Sequence, residues 1–212
     1  MQLSAALPRL VPGLIRRLAG VHPRWVGLEP LGPAGHPVQR LYFANHSSHL
    51  DTPILWSALP AAARARTRPV AAGDYWDRDV RRWLPAGMNA VFVDRCGVAA
   101  EACQPMEDAL SQGDSLILFP EGTRSLEPRG GVQPFKSGLY HLATAFPAVQ
   151  VVPVALANVG RMMPKGTLAP IPVRVGVTFG PPVPLRPDDD KSMFLRRAHD
   201  ALEALMSQGG TP

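Results

Sequence analysis

Arg40-Leu41-Tyr42-Phe43-Ala44-Asn45-His46-Ser47-Ser48-His49-Leu50-Asp51 opens as an apolar, β-prone run and breaks into small polar residues. Thr52 and Pro53 follow, and a proline is tolerated in the first turn of a helix, so the stretch reads as strand, loop and helix start. The same grammar returns where Ser115-Leu116-Ile117-Leu118-Phe119 runs into Pro120-Glu121-Gly122-Thr123-Arg124-Ser125. Apolar strands that end in polar loops fit an open α/β sheet, whose site loops leave the carboxyl ends of strands. His46, five positions before Asp51, supplies a base and a carboxylate to orient it. Residues five apart on a regular helix are separated by about 140° and do not face each other. His46 therefore belongs to the loop, and Asp51 to the first turn or just before it. The carboxylate can then fold back on the imidazole, set its tautomer and stabilise the imidazolium. Ser48 has the chemistry to cap the turn. The pattern predicts an enzyme that activates a hydroxyl.

Outward from these two stretches the chain alternates. Further strands are predicted at 25–28, 69–72, 90–93, 150–156 and 172–179, with the strand before His46 spanning 39–44. Helices are predicted over 52–59, 76–84, 98–112, 136–146 and 189–206, the third of them stopped by Gly113. Interleaved strands and helices predict a single α/β domain whose mixed, largely parallel sheet is covered by helices on both faces. The loop over 160–170 is long and rich in Pro and Gly, and the tail over 207–212 is expected to fray. There is no internal repeat.

Composition limits the class. At 212 residues, 46% apolar and 18% charged, the chain is globular and long enough for one good core. Cys96 and Cys103 lie outside any metal-ligand spacing and read as reduced thiols of a cytosolic protein. The net charge of +5 favours anionic partners, and arginine supplies 19 of the 22 basic residues. Nucleic acid is excluded as the partner, since the arginines are scattered and no aromatic-interleaved basic run or zinc-finger motif is present. No stretch approaches the 18 or so apolar residues of a membrane span. Within residues 1–20, Leu3, Leu7, Leu10, Val11, Leu14, Ile15 and Leu18 fall at helical spacing among Arg9, Arg16 and Arg17. That segment reads as a short basic amphipathic helix on anionic lipid, or alternatively as a terminal helix packed on its own domain. The protein is therefore expected to be peripheral, at the cytoplasmic face of a membrane.

The polar residues admit rival readings. His46, His49 and Asp51 could ligate a metal, but the His-x3-His helical spacing with an intervening Glu is absent. Gly113-Asp114-Ser115-Leu116 spells a serine-hydrolase signature, yet it follows a helix and opens a strand, the reverse of what that chemistry needs. It reads instead as a helix stop and a strand start. No Gly-x-Ser-x-Gly elbow occurs.

Taken in order, four blocks resemble those of the glycerolipid acyltransferases, closest to the 1-acylglycerol-3-phosphate (lysophosphatidic acid) acyltransferases. They are Asn45-His46-x-Ser48-x-x-Asp51, Val91-Phe92-Val93-Asp94-Arg95, Phe119 to Ser125, and Val151-Val152-Pro153-Val154-Ala155. Val26-x-x-Glu29 before the first block and Phe135-Lys136-x-Gly138 after the third extend the likeness. The resemblance implies a glycerol-phosphate-acyltransferase-like fold over residues 21–206. It implies His46 as general base and Asp51 as its orienting partner. Arg95, Glu121, Gly122, Thr123 and Arg124 would form the acceptor site, and Pro153 would help shape the pocket. An arginine fork suits phosphate, and a glycine lets backbone approach it.

The activity so implied is transfer of a fatty acyl chain from a thioester to the free hydroxyl of a lysophospholipid. Acyl-CoA or acyl carrier protein would bring the donor, and neither metal nor bound cofactor is required. Two departures stand out. A lysine common in family members between the first two blocks is replaced here, in Ala71-Ala72-Gly73-Asp74, by Ala72, and Ala90 opens the second block where Gly is usual. The acceptor headgroup is therefore left open between 1-acylglycerol-3-phosphate, glycerol-3-phosphate and a lyso-aminolipid. A lipid-binding module without turnover is the non-enzymatic alternative.

Overall fold

The computed structural model describes residues 20–72, 87–94, 99–124, 131–162 and 174–208, together with Gly13, Arg16 and Arg17. The predicted helix over 76–84, Arg95, and most of the segment 1–20 lie outside the described residues. The strands are β1 (Val21–Trp25), β2 (Arg40–Ala44), β3 (Thr67–Ala72), β4 (Val91–Val93), β5 (Ser115–Leu118), β6 (Gln150–Ala157) and β7 (Val175–Phe179). The described helices are α1 (Asp51–Ala58), α2 (Ala61–Arg64), α3 (Ala99–Ser111), α4 (Gly138–Ala145), α5 (Val159–Met162) and α6 (Lys191–Gln208).

The seven described strands share one sheet in the order β1-β7-β6-β2-β5-β3-β4. Among them only β6 and β7 pair antiparallel, so the sheet is mixed and largely parallel as expected. Every residue of β2 is buried, as a central strand covered on both faces requires. Its alternating side chains separate two cores. Leu41 and Phe43 join one with α3, α4 and α6, through Met106, Leu110, Leu139, Leu142, Phe194 and Leu202. Tyr42 and Ala44 join the other, with Ile54, Leu55 and Trp56 of α1.

Several predicted elements shift. The first strand ends at Trp25 instead of beginning there, because Val21–Trp25 pairs residue for residue with Val175–Phe179 and Trp25 stacks on Phe179. β3 starts two residues earlier than predicted, at Thr67, where it meets Ser115. Phe92 in β4 is 48% exposed while Val91 beside it is buried, and β4 ends the order of the described strands. The last helix runs two residues past its predicted end at 206, since α6 continues through Gln208 and Ser207 Oγ donates to the Glu203 carbonyl.

Gly113 does stop α3. At φ +80° its N–H bonds the Leu110 carbonyl and the next N–H bonds that of Ala109, a Schellman close that leaves few carbonyls orphaned. Ser115, two residues on, is 4% exposed and its Oγ accepts the Arg40 N–H at 2.9 Å. It joins β5 to β2 at the amino end of the sheet, away from the loops at the carboxyl ends.

Connectivity places the site. The chain leaves β2 through α1 on one face toward β3, and leaves β5 through α4 on the other face toward β6. Neighbouring strands whose connections part in this way open a crevice at their carboxyl ends. Both polar loops singled out in the sequence border that crevice.

Candidate active site

The loop after β2 is pinned from three directions. The Asn45 side chain clasps β6, donating to the Leu156 carbonyl at 3.0 Å and accepting the Leu156 N–H at 2.8 Å. Asp51, fully buried, turns back from the first turn of α1. Its Oδ2 accepts the N–H groups of Ser47 at 2.6 Å and Ser48 at 2.7 Å, and lies 2.9 Å from His46 Nδ1. The spacing argument is thus met, with His46 in the loop and Asp51 opening the helix. An oxygen already accepting two N–H groups receives a third hydrogen bond from Nδ1–H, which leaves Nε2 with the lone pair of a base. The ring stacks on Phe119, 4.2 Å between centroids, and lines the crevice. Ser48 holds the loop through Oγ, which accepts the Leu50 N–H at 3.3 Å.

The backbone N–H groups of residues 46, 47, 48, 50 and 51 all bond within the protein. These donors near the helix start hold the loop together.

The loop after β5 supplies the second wall. Glu121 is 5% exposed, and its two oxygens accept the N–H groups of His46 at 2.8 Å and Gln133 at 3.0 Å. Burial pushes its carboxyl above the ordinary 4.5, against the lowering effect of those two donors. Glu121 therefore braces the base's loop from behind. Gly122 takes φ +73°, and a Cβ there would fall 2.5 Å from Lys136 Cε. Lys136 thus lies across the glycine, and its own N–H bonds the Pro120 carbonyl. Thr123 is exposed, and Arg124 Nη1 donates to His49 Nε2.

Gly122, Thr123, Arg124, His46 and Lys136 meet at one cavity of about 450 Å³. Much of its remaining wall is apolar, from Val70, Met88, Val93, Met106, Leu139 and Leu142. A volume of that order suits a ligand with a polar head and an apolar body. Pro153 does not line it: it sits inside β6, level with Phe43, where its ring approaches Gly180.

Lys136 is not one of the acceptor residues that the resemblance implies; its signal in the sequence is its place two residues before Gly138 in the extension of the third block. Among the described residues, three potential metal-ligand atoms come within 4.8 Å of one another only at His199, Asp200 and Glu203 on α6, and not at His46, His49 and Asp51.

The family model described as Acyltransferase matches residues 32–157, which hold both loops and the strands β2 to β6. The chain belongs to the acyltransferase family. This acyltransferase is 30% identical over 195 residues to a 1-acyl-sn-glycerol-3-phosphate acyltransferase of Limnanthes douglasii, covering 86% of this chain. It spans 62% of the length of that relative. It is 29% identical over 235 residues to the lyso-ornithine lipid O-acyltransferase of Brucella abortus (strain 2308), covering 94% of this chain and 81% of the relative. Among solved structures, the crystal structure of the 1-acyl-sn-glycerophosphate (LPA) acyltransferase PlsC from Thermotoga maritima shares the fold. The TM-score is 0.70 and the identity 21%, over 100% of this chain and 85% of that one.

Proposed function

We propose that this acyltransferase moves a fatty acyl chain from a thioester to the free hydroxyl of a lysophospholipid, converting 1-acylglycerol-3-phosphate to phosphatidic acid. The observation that carries the proposal is His46, held through Nδ1 by buried Asp51 at the mouth of a cavity with a cationic and an apolar wall. His46 Nε2 takes the hydroxyl proton as the oxygen attacks the thioester carbonyl carbon. The tetrahedral intermediate collapses with loss of the C–S bond, and the thiolate leaves with the proton from the imidazolium. The new bond is the ester C–O, and no acyl-enzyme forms. Lys136, Arg124 and the backbone at Gly122 suit an anionic headgroup, while the apolar wall suits a fatty chain. Arg95 completes the acceptor site in this proposal. The donor is acyl-CoA or acyl carrier protein, and the chemistry needs neither metal nor bound cofactor.

A lyso-aminolipid acceptor is the second reading. It is favoured by the Brucella relative, matched over 81% of its length, and by Ala72, which leaves the β3 side of the site without the expected lysine. Purified protein offered both donors and a panel of lyso-acceptors separates the two. Phosphatidic acid as the main product supports the first reading, acylated aminolipid supports the second, and no acylated product with any pair rejects both.

A further inference from the structure

Arg124 and His49 lie 75 residues apart in the chain and meet at the cavity wall. A guanidinium can only donate, so His49 Nε2 accepts from Arg124 Nη1, and the ring's proton sits on Nδ1. Other arginines here find different partners. Arg197 and Arg66 pair with the carboxylates of Asp189 and Asp114, and Arg40 with the carbonyls of Glu29 and Pro30. Among the described residues Arg124 pairs with no carboxylate. A neutral nitrogen fixes the direction of a guanidinium without cancelling its charge. A carboxylate in the same place would compete with an anionic ligand for the fork. His49 belongs to the same loop as His46, three residues on, so the contact also ties the acceptor wall to the base.

We propose that His49 is a positioning residue that aims the Arg124 guanidinium at an anionic acceptor headgroup and leaves its charge available to that anion. The inference rests on the acceptor reading given above and adds a residue to it.

The test uses the full chain and two variants of one side chain. His49→Leu removes the acceptor nitrogen, whereas His49→Gln keeps an oxygen able to accept from Arg124 without a ring. Binding of a soluble short-chain lysophosphatidic acid is measured by calorimetry, and KM and kcat for the same lipid by product analysis. Loss of one hydrogen bond to a charged group corresponds to about a tenfold weakening. His49→Leu is expected to weaken acceptor binding and raise acceptor KM by that factor, with a smaller change in kcat and none in donor KM. His49→Gln is expected to restore most of the affinity, and His49→Leu to add little in an Arg124→Ala background. Unchanged affinity in His49→Leu, no rescue by Gln, or full additivity with Arg124→Ala would each overturn the role. Because binding is read without turnover, a chain that binds through this pair but transfers no acyl group would reject the activity and keep the inference.

Discussion

His46, Asp51 and Glu121 form one unit, because the carboxylates that orient the imidazole and brace its loop also hold the backbone at 46, 47 and 48. A positioned general base contributes about 10²- to 10⁴-fold in rate. His46→Ala is expected to lose at least that much acyl transfer while keeping its circular dichroism spectrum. Asp51→Asn is expected to be as damaging or less so, and equal activity in wild type and His46→Ala would sink the mechanism. Glu121 makes a pH prediction. Its folded carboxyl titrates above 4.5, so as pH rises past that value the unfolded chain releases the proton first. The stability this residue contributes is complete below 4.5 and declines as pH rises through the folded value. Urea unfolding of wild type and Glu121→Gln should therefore differ between pH 4 and pH 7, with the wild type losing ground as pH rises. A wild-type-to-variant difference equal at both pH values would contradict the shift.

At the scale of elements, two glycine turns do different work. Gly113 closes α3 far from the crevice, and a left-handed conformation costs an L-residue about 1–2 kcal/mol. Gly113→Ala should lower unfolding free energy by about that amount and leave kcat unchanged. Gly122→Ala meets the same backbone cost but also drives a methyl into Lys136. The lysine side chain can swing away, so the variant should fold, with its main defect a raised acceptor KM. If Gly122→Ala changes stability alone, Lys136 does not serve the acceptor. The helices decide where the crevice opens: α1 and α4 cover opposite faces, which parts the two loops that the adjacent strands β2 and β5 carry.

For the whole molecule, the proposed acceptor and product are membrane amphiphiles, and among the described residues no helix is long and apolar enough to cross a membrane. Docking on a bilayer face would use the apolar stripe and arginines within residues 1–20. Such attachment weakens as salt shortens the screening length to about 3 Å at 1 M. Sedimentation with vesicles should show salt-sensitive binding to anionic lipid, weak binding to neutral lipid, and marked loss when residues 1–20 are removed. A truncated chain that binds as tightly as the full one would place the anchor elsewhere. Acyl transfer should also survive exhaustive chelation. Activity lost with EDTA and restored by zinc would return His46, His49 and Asp51 to consideration as ligands.

What the sequence determined by itself is what short-range stereochemistry controls. The alternation of strands and helices, the stop at Gly113, the helix start beside Pro53 and the return of Asp51 to His46 all follow from backbone rules and spacings of a few residues. Strand pairing is non-local, and only the tertiary structure settled it. The antiparallel β7, the earlier β1 and the exposed face of β4 depend on which strands become neighbours. The same holds in the site. Glu121 beneath His46, Lys136 across Gly122 and Arg124 against His49 join segments distant in the chain. Residue type shows what such a side chain can bond to, but the partner within reach is chosen by the packing of β2 beside β5 and the crevice between them.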